Sequence, residues 1–225
     1  LAKHYDPARG MSYKGLKQDK ATLDRLRQQM AAVDVARLSR PGQLAYWINL
    51  YNISTVNVIV ENYPVDSIRD LSTDPLLRLN VFKKPSVKAK GGTMSLNDVE
   101  NDKIRAGFQD PRIHFAINCA ARSCPPIRPE PFVGSRIDQQ LDDQTRRFLN
   151  GPHGVRLEGD GGRLTLKVTK ILDWFEDDFD KWGGGQVPFL RKYVSADKAK
   201  RIDAAKGKIK LDFDEYSWKL NDAPR

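Results

Sequence analysis

The sequence predicts an α+β fold: a helix-rich single domain with a small, mostly antiparallel sheet around a central buried helix. Three observations carry this expectation. Apolar residues recur at helical spacing over several long segments, which is the signature of helices with one buried face. The stretch between Arg40 and Glu61 holds no charged side chain, so it reads as a helix enclosed on nearly all sides. Strand signals are few, short and tied to glycine turns. Of 225 residues, 40% are hydrophobic and 30% charged. That is enough apolar side chain for one sizeable core, and it excludes a disordered or fibrous chain.

The elements follow in order. Residues 1–13 read as an N-terminal extension, 14–220 as the domain and 221–225 as a tail. Leu16, Leu23, Leu26, Met30 and Val33 mark an amphipathic surface helix. Pro41 opens the second helix, where Leu44, Trp47, Ile48 and Tyr51 share one face and Val56, Val58, Ile59 and Val60 make the far end apolar all round. This run has the length of a membrane span, but Gln43, Asn49, Asn52, Ser54, Thr55 and Asn57 would carry polar groups into hydrocarbon that cannot satisfy them. No transmembrane segment is therefore predicted.

Residues 62–92, with Pro64, Pro75 and Pro85, read as connecting loop with short elements. Ser95 followed by Asp98 is a capping-box pattern for a helix over Leu96–Arg105. Asp110 and Pro111 break that helix, and Arg112–Cys119 has the length and apolar content of a strand. Ser135 and Asp138 repeat the capping pattern before a helix through Ile137, Leu141, Thr145 and Phe148. Residues 155–158 and 163–168 flank Gly159 to Gly162 as a hairpin. Thr169 caps a helix carrying Ile171, Trp174, Phe175 and Phe179, stopped by Gly183 to Gly185. Short helices around Phe189 and over Ala196–Ala205 precede a last half-buried strand through Ile209, Leu211 and Phe213.

Two cysteines, Cys119 and Cys124, exclude a disulfide-dense scaffold. With Arg112–Cys119 as a strand, His114, Ala116 and Asn118 share one face, and Cys119 falls on the apolar one as a small buried hydrophobe. His114 suits either a hydrogen-bonded structural histidine or an imidazole reaching a cleft. Cys124 lies in Arg122-Ser123-Cys124-Pro125-Pro126, where a stiff loop presents a thiol and Arg122 favours thiolate. If the loop folds back, Cys124 and His114 form the minimal nucleophilic pair. The alternative is a Cys119–Cys124 disulfide that staples the loop, adding roughly 2 kcal/mol on a loop-entropy view.

Glu100, on the exposed side of its helix, can orient His114 or act as acid or base. Asn49 and Asn52, one turn apart on the most apolar helix, need buried partners and can hold the segment around Asn118. His4, His114 and His153 are scattered, so neither a metal site nor a cofactor is predicted. The glycines at 159–162 sit between strands and form no phosphate loop. Net charge is +9, yet the basic residues are dispersed without a binding module and the stretch Asp173–Asp180 is acidic, so no specific nucleic acid is expected.

The segments Ala45-Tyr46-Trp47-Ile48-Asn49-Leu50-Tyr51-Asn52, Ser95-Leu96-Asn97-Asp98-Val99-Glu100, Asp110 to Ala116, Asn118-Cys119 and Ser123-Cys124-Pro125-Pro126 resemble the family catalogued as domain of unknown function number 547. The resemblance runs from about Lys14 to the closing Tyr216-Ser217-Trp218. It implies an unassigned activity and a bacterial, exported protein, periplasmic or secreted. A chain that opens at Leu1 without an initiator Met fits a removed leader. The matching set is Asn49, Asn52, Glu100, His114, Cys119 and Cys124. Asn101 stands where the family often has His.

Two functions are expected from this set. One is a thiol-dependent hydrolase or transferase with Cys124 as nucleophile, His114 as base, and Glu100 or Asn118 orienting the imidazole. The other is a non-enzymatic binding domain with a Cys119–Cys124 disulfide, its ligand held by Asn49, Asn52, Asn118 and Arg122 beside Glu100 and His114. Arg105, Arg112, Arg122 and Arg128 flank the segment in sequence and favour a small anionic or carboxylate-bearing ligand or peptide.

Overall fold

A computed structural model describes residues 2–6, 10–72, 80–159, 163–206 and 208–223. The first predicted helix is two: α1 (Tyr13–Gln18) and α2 (Lys20–Ala31), divided at Asp19. The Ser12 hydroxyl accepts the Gly15 N–H at 3.2 Å and starts α1. Helix α3 (Arg40–Asn62) is the predicted central helix, opened by a Ser39 cap with Pro41 in the first turn. It is buried along most of its length, with Ile48, Tyr51 and Ile59 almost fully enclosed. Among the described residues no helix is long and apolar enough to cross a membrane.

The strands are short. β1 (Tyr5–Asp6) and β2 (Gly10–Met11) pair antiparallel. β3 (Pro85–Ala89) and β4 (Gly92–Ser95) form an antiparallel hairpin that starts inside the predicted loop and runs past its end, turning at Gly91 and Gly92 with φ of 101° and 149°. β5 (Arg156–Glu158) and β6 (Leu164–Val168) pair antiparallel as expected, and β7 (Ile209–Phe213) adds parallel to β6. Residues 160–162 of the predicted hairpin tip lie outside the described residues.

Helix α4 (Ile137–Leu149) forms, but Arg136 occupies its cap and the Ser135–Asp138 box does not. The acidic helix predicted after Thr169 is interrupted at Phe175, giving α5 (Ile171–Trp174) and α6 (Glu176–Lys181). α7 (Gln186–Tyr193) and α8 (Ala196–Ala204) complete the chain's helices in this half.

Two hydrophobic clusters result. One gathers α1 to α3, the β3–β4 hairpin and Leu96, Val99 and Ile104. The other gathers β5 to β7, α5 to α8 and the end of α4 (Phe148, Leu149), whose start (Ile137, Leu141) enters the first. The predicted strand Arg112–Cys119 does not form. Pro111–Phe115 is instead a 3-10 turn whose Asp110 carboxylate accepts the Arg112 N–H at 3.0 Å. Pro111 removes a donor and sets φ for a helical start, and among the described residues no strand lies alongside to complete a ladder. Asn52 of α3 substitutes for one: its Nδ2 donates to the Ala116 carbonyl at 2.9 Å and its Oδ1 accepts the Asn118 N–H at 2.8 Å. Side chains therefore do not alternate between two faces. Ile113, Ala116 and Ile117 enter the first core and Phe115 the second, so this turn stitches the two together.

The flanking segments pack here too. The Met11 N–H bonds the Asn221 carbonyl at 3.0 Å, and the Asn221 N–H bonds the Ala120 carbonyl at 2.9 Å.

Candidate active site

The capping box expected at Ser95 is present: its hydroxyl accepts the Asp98 N–H at 3.1 Å, and the Asp98 carboxylate accepts the Ser95 N–H at 2.8 Å. The helix it starts (Leu96–Asp98) widens into a π turn over Val99–Arg105 and closes at Ala106–Phe108. A π turn changes the face on which side chains emerge and is common at functional sites. Glu100, expected on the exposed side, is half-buried in the wall of a cavity of about 310 Å³ at the seam of the two cores. Tyr51 donates its hydroxyl to Glu100 Oε2 at 3.2 Å. Loss of water pushes the Glu100 carboxyl up to about 7, against the Tyr51 hydrogen bond and the Arg105 charge.

Both cysteines line the same cavity as free thiols. Their sulfurs are 2.8 Å apart in a shared thiol hydrogen bond, and the Cys119 N–H also points at Cys124 Sγ, 2.8 Å away. The Tyr216 hydroxyl is 3.1 Å from Cys119 Sγ. Between them Ala120 takes a left-handed φ of 62°, held by its N–H bond to Asn118 Oδ1 at 2.8 Å. A left-handed alanine is strained and persists only where its surroundings enforce it.

Burial raises both thiols, but at Cys119 the hydrogen bonds from Cys124 and Tyr216 outweigh it and bring that sulfur below its ordinary value. At Cys124 burial and the neighbouring Cys119 act together and push the thiol well up. Cys119, expected as a buried hydrophobe, is instead half-buried on the cavity wall, while Cys124 is 9% exposed. That expectation for Cys119 came from the strand, which put its side chain on an apolar face.

His114 is held from the other side. Its Nε2 is 2.7 Å from Asp178 Oδ2, and Asp178 also receives Arg105 through Nε at 2.7 Å and Nη2 at 3.0 Å. The imidazole stacks on Phe175 with centroids 4.0 Å apart. Burial lowers the His114 pKa in spite of Asp178. Burial works against ionisation of Asp178, yet the bonds from His114 and Arg105 hold its carboxyl well below the usual range. His114 Nδ1 is buried without a hydrogen-bond partner. The structure brings His114 into the same cavity as Cys124 but does not join the two by a hydrogen bond.

The remaining predicted residues have other work. Asn49 donates to the Phe132 carbonyl at 2.8 Å and accepts the Phe132 N–H at 3.0 Å. Asn118 donates to the Pro125 carbonyl at 2.6 Å. With Asn52 these amides brace backbone and do not line the cavity. Arg122 is exposed and faces a separate cavity of about 340 Å³ with Arg147 and His153, of which Cys124 forms part of the wall. Arg112 is closed by Asp110, Asp138 and Asp142, and Arg128 by Glu130 and Asp143. Three of the four arginines that favoured an anionic ligand are thus already paired. Asn101, standing where the family often has His, accepts from Arg105 at 2.6 Å and lines the cavity.

Sequence reading missed Tyr51, Trp174, Asp178 and Tyr216 as site residues. Asp178 lay hidden in an acidic run, and Tyr216 in the closing Tyr-Ser-Trp that the resemblance had marked only as a boundary.

The class is therefore an α+β domain with a dithiol, a desolvated glutamic acid and a His–Asp–Arg chain around one pocket. The chain belongs to the family described as "Protein of unknown function, DUF547", which matches residues 35–149. Tyr51, Glu100, His114 and both cysteines fall within that match, whereas Trp174, Asp178 and Tyr216 lie beyond it. No curated protein and no solved structure shows significant similarity to the chain.

Proposed function

We propose that the protein is a thiol-dependent transferase that exchanges thiols with disulfides, Cys119 being the attacking sulfur and Cys124 the resolving one. The observation that carries this reading is the contact of the two sulfurs at 2.8 Å on an open cavity, with the Tyr216 hydroxyl on Cys119. An accessible, more acidic thiol beside a buried, less acidic one is the division of labour that such exchange requires.

In the forward direction the Cys119 thiolate attacks one sulfur of a substrate disulfide. A Cys119–substrate S–S bond forms, the substrate bond breaks, and the leaving sulfur departs as a thiolate that takes a proton from Glu100 or water. Cys124 then gives its proton to ionised Glu100 and attacks Cys119 Sγ, closing the Cys119–Cys124 disulfide and releasing the second substrate thiol. Two electrons pass from the dithiol to the substrate, and an external dithiol reductant restores the enzyme. Glu100 suits both proton steps because its pKa of about 7 leaves both forms populated near neutrality.

The hydrolase form with His114 as base has less support, because the free Nδ1 of His114 makes no hydrogen bond to either sulfur. We read the protein as extracytoplasmic, in line with the exported family members it resembles.

Reduced protein incubated with 2-hydroxyethyl disulfide should become oxidised by two hydrogens in mass, and Cys119→Ser should abolish this. Cys124→Ser should instead accumulate a mixed disulfide on Cys119. Retained exchange in Cys119→Ser sinks the proposal. So does a native disulfide that reductant opens only after denaturation, which would favour the binding-domain reading.

A further inference from the structure

The cavity mouth above Cys119 is built of aromatic rings. Trp174 packs against Tyr216 with centroids 4.7 Å apart and stacks on Trp218 at 5.8 Å; Tyr216 and Trp218 are 4.9 Å apart. Tyr216 belongs to this wall and to the thiol site at once, since its hydroxyl touches Cys119. Trp174 is 43% exposed, the most exposed of the large hydrophobics described. An isolated exposed tryptophan needs no explanation, but one that lines a cavity beside a reactive sulfur presents apolar area to whatever enters.

Charge narrows the occupant. No Lys or Arg lines the cavity among the described residues, and its acid is Glu100. Of the guanidinium groups packed on its rings, Arg105 over Phe175 is spent on Asp178 and Asn101, and Arg69 lies over Trp218 with 5.2 Å to the centroid. A carboxylate brought against Cys119 would therefore lose water without gaining a cation, which costs free energy. The cavity of about 310 Å³ accommodates a disulfide and one large side chain, not a folded partner. Asn97 and Asn80 also line it, Asn80 Oδ1 being taken by the Phe82 N–H at 3.1 Å, so that amide N–H groups remain for a peptide carbonyl.

We infer that the substrate of this site is a peptide disulfide whose cysteine adjoins an aromatic or large apolar residue, that side chain stacking on Trp174 and Trp218. The inference rests on the exchange activity proposed above. Within the small anionic or carboxylate-bearing ligand or peptide that the sequence favoured, it selects the peptide, and it gives Trp174 the role of a specificity residue. The chemistry is that of the preceding steps: the peptide's sulfur bonds to Cys119, its former partner leaves as a thiol, and closure of Cys119–Cys124 frees the peptide thiol.

The test uses two peptides of equal length carrying cysteine as a mixed disulfide with thionitrobenzoate, one with Trp and one with Glu beside the cysteine. Reduced wild-type protein should release thionitrobenzoate from the Trp peptide about tenfold faster than from the Glu peptide. Trp174→Ala should bring the ratio to within about twofold, and Trp174→Phe should keep most of it. Equal wild-type rates, a preference for the Glu peptide, or a ratio that survives Trp174→Ala would overturn the inference. Exchange with 2-hydroxyethyl disulfide, measured alongside, separates the two readings: its absence in wild type refutes the exchange activity itself, whereas its presence without peptide preference refutes only the aromatic subsite.

Discussion

Glu100 shows how a single position can oppose folding and still be retained by a fold. Its carboxyl titrates at about 7 in the folded protein and near 4.5 when exposed. Between those values the folded state binds more protons than the unfolded one, so stability falls as pH rises through that window and then levels. A carboxylate forced to ionise while half-buried costs on the order of 2 kcal/mol after allowance for its partial exposure. Glu100→Gln keeps the shape and the Tyr51 contact but removes the titration. Urea unfolding at about pH 8 should show the variant more stable than wild type by that order, with the difference shrinking toward about pH 5. If Glu100 is the proton carrier for Cys124, the same variant should slow closure of the Cys119–Cys124 disulfide while the first attack by Cys119 proceeds. Equal stability at both pH values would mean that the carboxyl is not desolvated.

At the scale of elements, what could be read from sequence was what local pattern specifies. Helix α3, the Ser95–Asp98 box, the β5–β6 hairpin and β7 each announce themselves through periodicity or a cap within a few residues. The stretch Arg112–Cys119 does not, because its apolar content fits a strand as well as a turn and the deciding partner, Asn52, lies 64 residues from the carbonyl it binds. The π turn at Val99–Arg105 was equally invisible, since its residues make an acceptable α-helix. The candidate site suffered accordingly: Glu100, His114 and both cysteines were found, but the roles of the two sulfurs depended on a loop that only tertiary contacts define. Asn52→Ala tests that dependence. It leaves the Ala116 carbonyl and the Asn118 N–H buried without their partner, and should cost roughly 2–4 kcal/mol in urea unfolding. Asn62→Ala, which removes the bond from the exposed Asn62 side chain to the Val58 carbonyl within α3, should cost below about 0.5 kcal/mol. Similar losses for the two variants would show that the amide clamp is not what shapes the cysteine loop.

Across the whole molecule, the pocket exists because two cores meet, and Asp178 is the tie between them. It sits on α6 of the second core and grips Arg105 of the π turn and His114 of the 3-10 turn. Its folded pKa lies well below 3.8, so its contribution is fully present above the unfolded value and disappears as pH falls through the folded one. His114 acts in the same direction from higher pH: its folded pKa is below 6.5, so the unfolded state takes the proton first as acidity rises. Glu100 works the opposite way between 4.5 and about 7, which should leave wild-type stability nearly flat there and steepen its loss below about pH 4. Asp178→Asn keeps the size but removes the charge that Arg105 and His114 share. Breaking a partly buried pair of this kind leaves a guanidinium without its counter-ion, and the expected loss at neutral pH is about 2–3 kcal/mol. The loss should narrow by about pH 2.5, where Asp178 of the unfolded chain already holds its proton while the folded carboxylate remains ionised. Unfolding followed by tryptophan fluorescence in a background with Trp47→Phe and Trp182→Phe, so that Trp174 and Trp218 alone report, should shift together with unfolding followed by far-ultraviolet circular dichroism. If the fluorescence transition in Asp178→Asn moves to lower urea alone, the two cores unfold separately once the tie is cut, and the site is the least stable part of the fold.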